Sequence, residues 1–266
     1  MGLPILNFQV RYSEEVILKQ YGDKVSVLET ALPLIKFGKN YEIVSGVTET
    51  IWNTGGDEVY ATTNIIDTVS SSNATDAQTI SVTGHTIDAN GDFTRVVQEI
   101  TLDGQNKVLL PTPVARVERM FNTDNTDFLG VVYVYEDDTI IAGVPQTAVN
   151  IHLTVNPEDN QSLKAAFTAD KDEYIVITAL TVSVNKTVSS AIVDFALEIR
   201  EKGKVFRTKY TSVVSSQNGS RQLFFEQPFI IPPSADVRFI ATSNANNTGV
   251  EAIAHCYYAK KTYRNV

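Results

Sequence analysis

Val193, Phe195, Leu197 and Ile199 alternate with Asp194, Ala196 and Glu198. A period of two sends one set of side chains into a core and the other into water, which a helix of 3.6 residues per turn cannot do. Glu201-Lys202-Gly203-Lys204 then reverses the chain, and Phe206, Thr208 and Tyr210 alternate with Arg207 and Lys209 on the way back. The spacing predicts a long antiparallel hairpin.

The same grammar runs over most of the chain. Residues 79–87 and 94–102 flank Asp88-Ala89-Asn90-Gly91-Asp92, in which Asn90-Gly91 suits the positive φ angles of a tight reversal. Asp103-Gly104 starts the next reversal, into 107–110, and polar clusters such as Asn53-Thr54-Gly55-Gly56-Asp57 and Ser70-Ser71-Ser72-Asn73 separate further strands. The run 174–184 is apolar on both faces, as a mid-sheet strand would be. Pro228, Pro232 and Pro233 bracket Phe229-Ile230-Ile231 and restrict that piece to an edge or a crossover, because proline cannot donate to the ladder. Val250, Ala252, Ala254, Cys256 and Tyr258 form a closing alternating strand.

Many short strands without crossover helices predict an all-β chain of two antiparallel β-sandwich domains, jelly-roll or Ig-like, and leave the strand order open. With 266 residues there is room for two cores. The expected division is an N-terminal arm over 1–40, a first sandwich over 41–138, a linker over 139–146 marked by Gly143 and Pro145, and a second sandwich over 147–266. Within the arm, helical turns are expected after Ser13-Glu14-Glu15 and over 27–31, the latter stopped by Pro33. Its apolar side chains, including Ile5, Leu6, Phe8, Ile17 and Leu18, suit docking on another subunit.

A net charge of -9 argues against a sequence-independent grip on nucleic acid, which needs Lys and Arg to neutralise phosphates. Lys260, Lys261 and Arg264 beside Tyr257, Tyr258 and Tyr263 read as a solvated terminal strand. No apolar run reaches the roughly 20 residues of a membrane-spanning helix, and the N-terminus lacks secretory and myristoylation patterns. Cys256 cannot form an intrachain disulfide and reads as a buried, inert thiol.

No chemistry-bearing motif stands out. His85, His152 and His255 each fall in a predicted strand without metal-ligand spacing, so neither a metal nor a cofactor is assigned. Asp170, Asp172 and Glu173, and Asp124 with Asp127, read as solvated loop acids; a calcium site at Asp124, Asn125 and Asp127 lacks the full 12-residue loop. Asn73, Asn160, Asn185, Asn218 and Asn246 begin Asn-x-Ser/Thr triplets that read as turns. Trp52 beside Asn53, and Tyr133 with Tyr135, are the candidate aromatic platforms for a sugar, although lone strand aromatics are more often core. No catalytic residue is assigned.

Lys36-Phe37-Gly38-Lys39-Asn40 followed by Ile51-Trp52-Asn53-Thr54-Gly55-Gly56 resembles the opening of a family of virion structural proteins in tailed bacteriophages, many of them marine or environmental. The similarity continues at Ile87-Asp88-Ala89-Asn90-Gly91, Gln98-Glu99-Ile100-Thr101-Leu102-Asp103-Gly104, Asn160-Gln161-Ser162-Leu163, Val205-Phe206-Arg207-Thr208-Lys209 and Ala241-Thr242-Ser243-Asn244-Ala245-Asn246. It covers most of 36–255, while 1–35 departs from the pattern. The resemblance implies a non-enzymatic virion component, a capsid decoration, spike or tail-fibre subunit held by its N-terminal arm. The implied partners are its own copies, as a trimer, and major capsid or tail proteins. A carbohydrate- or receptor-binding module that touches a host surface glycan is the alternative.

Overall fold

The computed structural model describes residues 32–157, 159–186 and 190–260. The helical turns expected within 1–31, together with Lys261, Tyr263 and Arg264, lie outside them. The all-β reading holds: the described residues form antiparallel sheets, and none of their helices is long and apolar enough to cross a membrane.

Two sheets form a roll. The first has the order β1 (Leu32–Ile43), β18 (Thr248–Lys260), β13 (Glu173–Asn185), β16 (Ser220–Ile231). The second runs β12 (Ala166–Thr168), β17 (Asp236–Ser243), β14 (Ile192–Arg200), β15 (Arg207–Ser215). Numbered along the chain, these eight strands are ordered 1-8-3-6 and 2-7-4-5, the arrangement of a jelly roll. Ile175, Ile177, Leu180 and Val182 from one sheet meet Val193, Phe195, Leu197 and Phe239 from the other. Phe195 stacks on Phe239 with ring centroids 5.8 Å apart, so the interior is filled by side chains.

The second strand of this roll is split. β2 (Thr48–Thr50) pairs with residues 240–242 of β17, and β12 continues the same edge at 236–238. Between them Ile51 N donates to Phe239 O (2.9 Å), and Phe239 N donates to Ala165 O (3.1 Å). Residues 52–164 therefore loop out of a single strand line. Gly38 on β1 lies against this junction, where an added Cβ would come within 2.1 Å of Ala165 N and 2.4 Å of Ile51 O.

The looped-out segment carries its own core. One sheet is ordered β11 (Ile151–Val155), β8 (Val132–Glu136), β3 (Ile66–Ser71), β6 (Val108–Val114), and the other β5 (Phe93–Thr101), β4 (Thr79–Ile87), β7 (Arg116–Asn122). Ile66, Val69, Val82, Met120, Val134 and Leu153 pack between them. The hairpin of β4 and β5 pairs from Thr79↔Thr101 to Ile87↔Phe93, with Asp88 Oδ1 accepting from Asn90 N and Asp92 N in the turn; the reversal falls where expected, but of Asn90-Gly91 only Gly91 takes a positive φ (80°).

Three expected boundaries are corrected. Residues 32–40 are not arm but roll: beyond Leu34 the inward face of β1 carries Lys36, Gly38 and Asn40 in place of apolar side chains, so the alternation is unreadable in sequence. Residues 139–146 are not a linker but a hairpin of β9 (Ile140–Ile141) and β10 (Val144–Pro145), turned at Ala142 (φ 48°) and Gly143 (φ 76°). The chain then returns to the same sheet as β11, so the roll resumes near 165 and not at 147.

The run 174–184 is central in its sheet as expected, between β18 and β16. Its core side chains change parity, from Ile175 and Ile177 to Leu180, Val182 and Val184. A register shift between Ile177 and Ala179 absorbs the extra residue, Thr178, and keeps both sets facing inward. The proline-bracketed 229–231 lies on the edge strand β16, and Pro228 falls among residues 225–228, which β13 does not pair.

Candidate functional site

The most concentrated polar chemistry lies where the inserted unit meets the roll. On β7, Val117 and Met120 enter the insert's core while Arg116 and Glu118 point out of it. The register of β7 shifts between Gly84↔Val117 and Thr83↔Arg119, making Glu118 the bulged residue. Two charged side chains are thereby turned toward the roll, which answers each of them.

Arg116 Nε donates to Asp236 Oδ1 at 2.9 Å, while its Nη1 donates to Ala61 O and Ala115 O at 2.5 and 2.6 Å. Arg200 binds the other oxygen of Asp236 through Nη2 (2.5 Å) and Nε (3.0 Å), and Thr168 Oγ1 donates to Oδ1. Burial opposes the charge of Asp236, yet the two guanidiniums hold its carboxyl below the usual range. Glu118 accepts from Lys36 Nζ at 2.7 Å and from Thr168 N at 2.5 Å. Burial pushes its carboxyl up, but Lys36 and His85 outweigh that and bring it to about 2. At the crossing, Lys164 Nζ meets Glu58 Oε1 (2.5 Å), Val117 O (2.8 Å) and His152 O (3.3 Å) and lies over Trp52.

The histidines take structural places around this seam. His85 is fully buried; its Nδ1 stands 3.2 Å from Glu118 Oε1 without hydrogen-bond geometry, and burial lowers its pKa. His152 Nε2 meets Glu136 Oε1 at 2.9 Å, and burial followed by Lys164 and Arg116 brings its pKa down to about 3. Cys256 is buried in the roll and its thiol is pushed up to about 12 by that burial.

The acidic clusters are engaged in joining elements. Asp170 accepts from Arg95 N (2.7 Å), and Glu173 pairs with Arg95 Nη2 (2.9 Å), both across the seam. Asp124 accepts from Thr79 N and Asp127 from Asn160 Nδ2. Among the described residues no group of three or more metal-ligating side chains converges. Asn73 Oδ1 accepts from Thr75 N in a turn, and Asn160 adopts φ 50°. Trp52 and Tyr135 are buried, Trp52 Nε1 donating to Gly56 O, so neither offers an open platform for a sugar. Sequence reading missed the paired charges because Arg116 and Asp236 stand 120 positions apart.

No protein-family model and no curated protein matches this chain. Among solved structures, the infectious bursal disease virus VP2 subviral particle is similar at 11% identity, covering 94% of this chain and 78% of that one, with a TM-score of 0.23. A Gx-strain structure of the same virus gives 11% identity, 92% and 82% coverage and a TM-score of 0.20. Superpositions this loose carry no inference about fold or activity.

Proposed function

We propose that the chain is a structural protein of a virus particle, an exterior subunit of a tailed bacteriophage that assembles with its own copies and has no catalytic role. The observation behind this reading is the jelly roll with a second β-unit looped out of one strand line. Rolls of this order serve as capsid shells, lectins and cupins. Cupin chemistry needs an open chamber inside the roll, whereas this one is filled by Phe195, Phe239 and their neighbours. A shell or spike subunit needs edges and faces for neighbours. Here β15 and β16 are both sheet edges, and Val213 and Phe224 on them stand 55% and 63% exposed. Edges left open on a free monomer invite uncontrolled pairing, and closed symmetry hides them.

Residues 1–31 precede the edge strand β1 and serve in this reading as the anchor to the particle. Mass spectrometry of particles purified from a host carrying the gene should detect the chain, and removing 1–31 should abolish its incorporation while leaving the roll folded. Light scattering on the purified chain should show a closed oligomer, with three subunits expected from the phage resemblance. Absence from the particle would end the virion reading.

A further inference from the structure

A cleft of about 650 Å³ opens at the seam, between the turn after β14, the turn between β4 and β5, and the segment leading to β3. Its volume is that of a small-ligand site. Four cations line it, Arg116, Arg200, Lys202 and Lys204, against two anions, Glu201 and Asp236, a local balance of +2 in a chain of net charge -9.

The donors differ in what they have left to give. Arg116 is spent on Asp236, Ala61 and Ala115. Lys202 reaches Asp92 at 2.6 Å. Arg200 uses only Nε and Nη2 on Asp236, and among the described residues its Nη1 has no partner. Its guanidinium carbon lies 4.4 Å from the centre of the Tyr60 ring and 4.6 Å from that of the Phe206 ring, so little side-chain freedom remains to be lost on binding. Among the described residues Lys204 Nζ has no ion-pair partner either. Thr62 and Asn90 add uncharged polar groups, and the half-buried Ile87 adds apolar surface, the rings of Tyr60 and Phe93 being covered by the guanidiniums of Arg116 and Arg200.

We propose that this cleft binds an acidic saccharide, a sugar carrying a carboxylate or sulfate, with Arg200 Nη1 and Lys204 Nζ on the anionic group. A guanidinium held by Asp236 and an ammonium without an ion-pair partner, lining one cleft, suit one compact anion. The polar and apolar lining matches the hydroxyls and C–H face of a sugar ring, and the cleft offers none of the exposed aromatic faces on which the bases of a single-stranded nucleic acid would stack. The proposal is independent of the virion reading, because the cleft is complete within one chain.

Calorimetric titration of the full chain tests it, with a chondroitin sulfate hexasaccharide, oligogalacturonate, a neutral dextran oligomer, inorganic sulfate and single-stranded DNA as probes. An acidic oligosaccharide should bind and dextran should not. Lys204→Glu should weaken binding by about tenfold or more, the loss expected for one charge-assisted contact. Lys204→Arg should largely retain it. Thermal melting of both variants should match the parent, since Lys204 holds nothing else in place. No binding of either acidic oligosaccharide at millimolar concentration would overturn the proposal. So would affinity untouched by Lys204→Glu, or binding of sulfate or DNA as tight as that of the sugars.

Discussion

Arg116 on β7 and Asp236 on β17 face each other at 2.9 Å, both almost fully buried, and this contact ties the inserted unit to the roll. A buried ion pair adds little over a well-packed apolar pair, but removing one partner strands the other charge away from water. Asp236→Asn would strand both Arg116 and Arg200. The expected loss is about 3–5 kcal/mol by urea denaturation. Lys107→Ala, which breaks the exposed contact to Asp137, should leave the denaturation midpoint nearly unchanged, because water already screens that pair. Equal losses would show that the seam is no more than surface electrostatics.

His152 sets the acid limit. Its folded pKa of about 3 lies below the ordinary 6.5, so the unfolded chain binds a proton there that the folded chain refuses. The stability this contributes is complete above pH 6.5 and is lost as the pH falls toward 3. Between those limits one such proton changes stability by about 1.4 kcal/mol per pH unit. His152→Asn should flatten the pH dependence of urea unfolding by about that slope between pH ~6 and ~4. An unchanged slope would mean that His152 titrates normally in the fold. Glu118 acts lower, losing its contribution as the pH falls from 4.5 to about 2.

Thr178 is the extra residue that lets β13 present Ile175 and Ile177, then Leu180, Val182 and Val184, to one core. Deleting it should turn one of those sets outward and prevent folding. Thr178→Ala keeps the count, removes only the hydroxyl's bond to His255 O, and should cost about 1 kcal/mol. Circular dichroism and denaturation of the two variants compare count against chemistry. A folded deletion variant would show that the strand can slip without penalty.

Gly38→Ala tests the split strand. The new methyl would sit on the backbone of both Ile51 and Ala165, neither of which can yield without breaking the line along β17. A loss above about 3 kcal/mol is expected, well beyond the propensity difference between the two residues. A loss near zero would place Gly38 away from that junction.

Residues 52–164 should fold alone. Trp52 and Lys164 already pair at the base of the insert, so its ends need no new closure, and its core draws only on residues 61–155. An isolated 52–164 chain should give dispersed amide resonances and a cooperative melt, weaker than in the whole protein because the seam charges lose their partners. A disordered spectrum would show that the insert depends on the roll.

The alternation of Val193 to Ile199, the Asn90-Gly91 reversal and the prolines around Phe229-Ile230-Ile231 were sufficient to read the all-β class, two hairpins and an edge strand. Each is a local property: side-chain period, permitted φ angles, a missing donor. The same locality misled at Gly143 and Pro145, where turn residues of a hairpin look like those of a linker. It also hid β1, whose inward Lys36 and Asn40 are stabilised by Glu118 and Glu49. Where a strand line is interrupted by a whole unit, and which distant charge neutralises which, are properties of the closed fold. Ile51 and Ala165 become neighbours only when β17 lies beside both, and a charge at Arg116 becomes tolerable only once Asp236 is within reach. Period and turn chemistry act over a few residues and are written in the chain; burial and ion pairing act through space and exist only after it has folded.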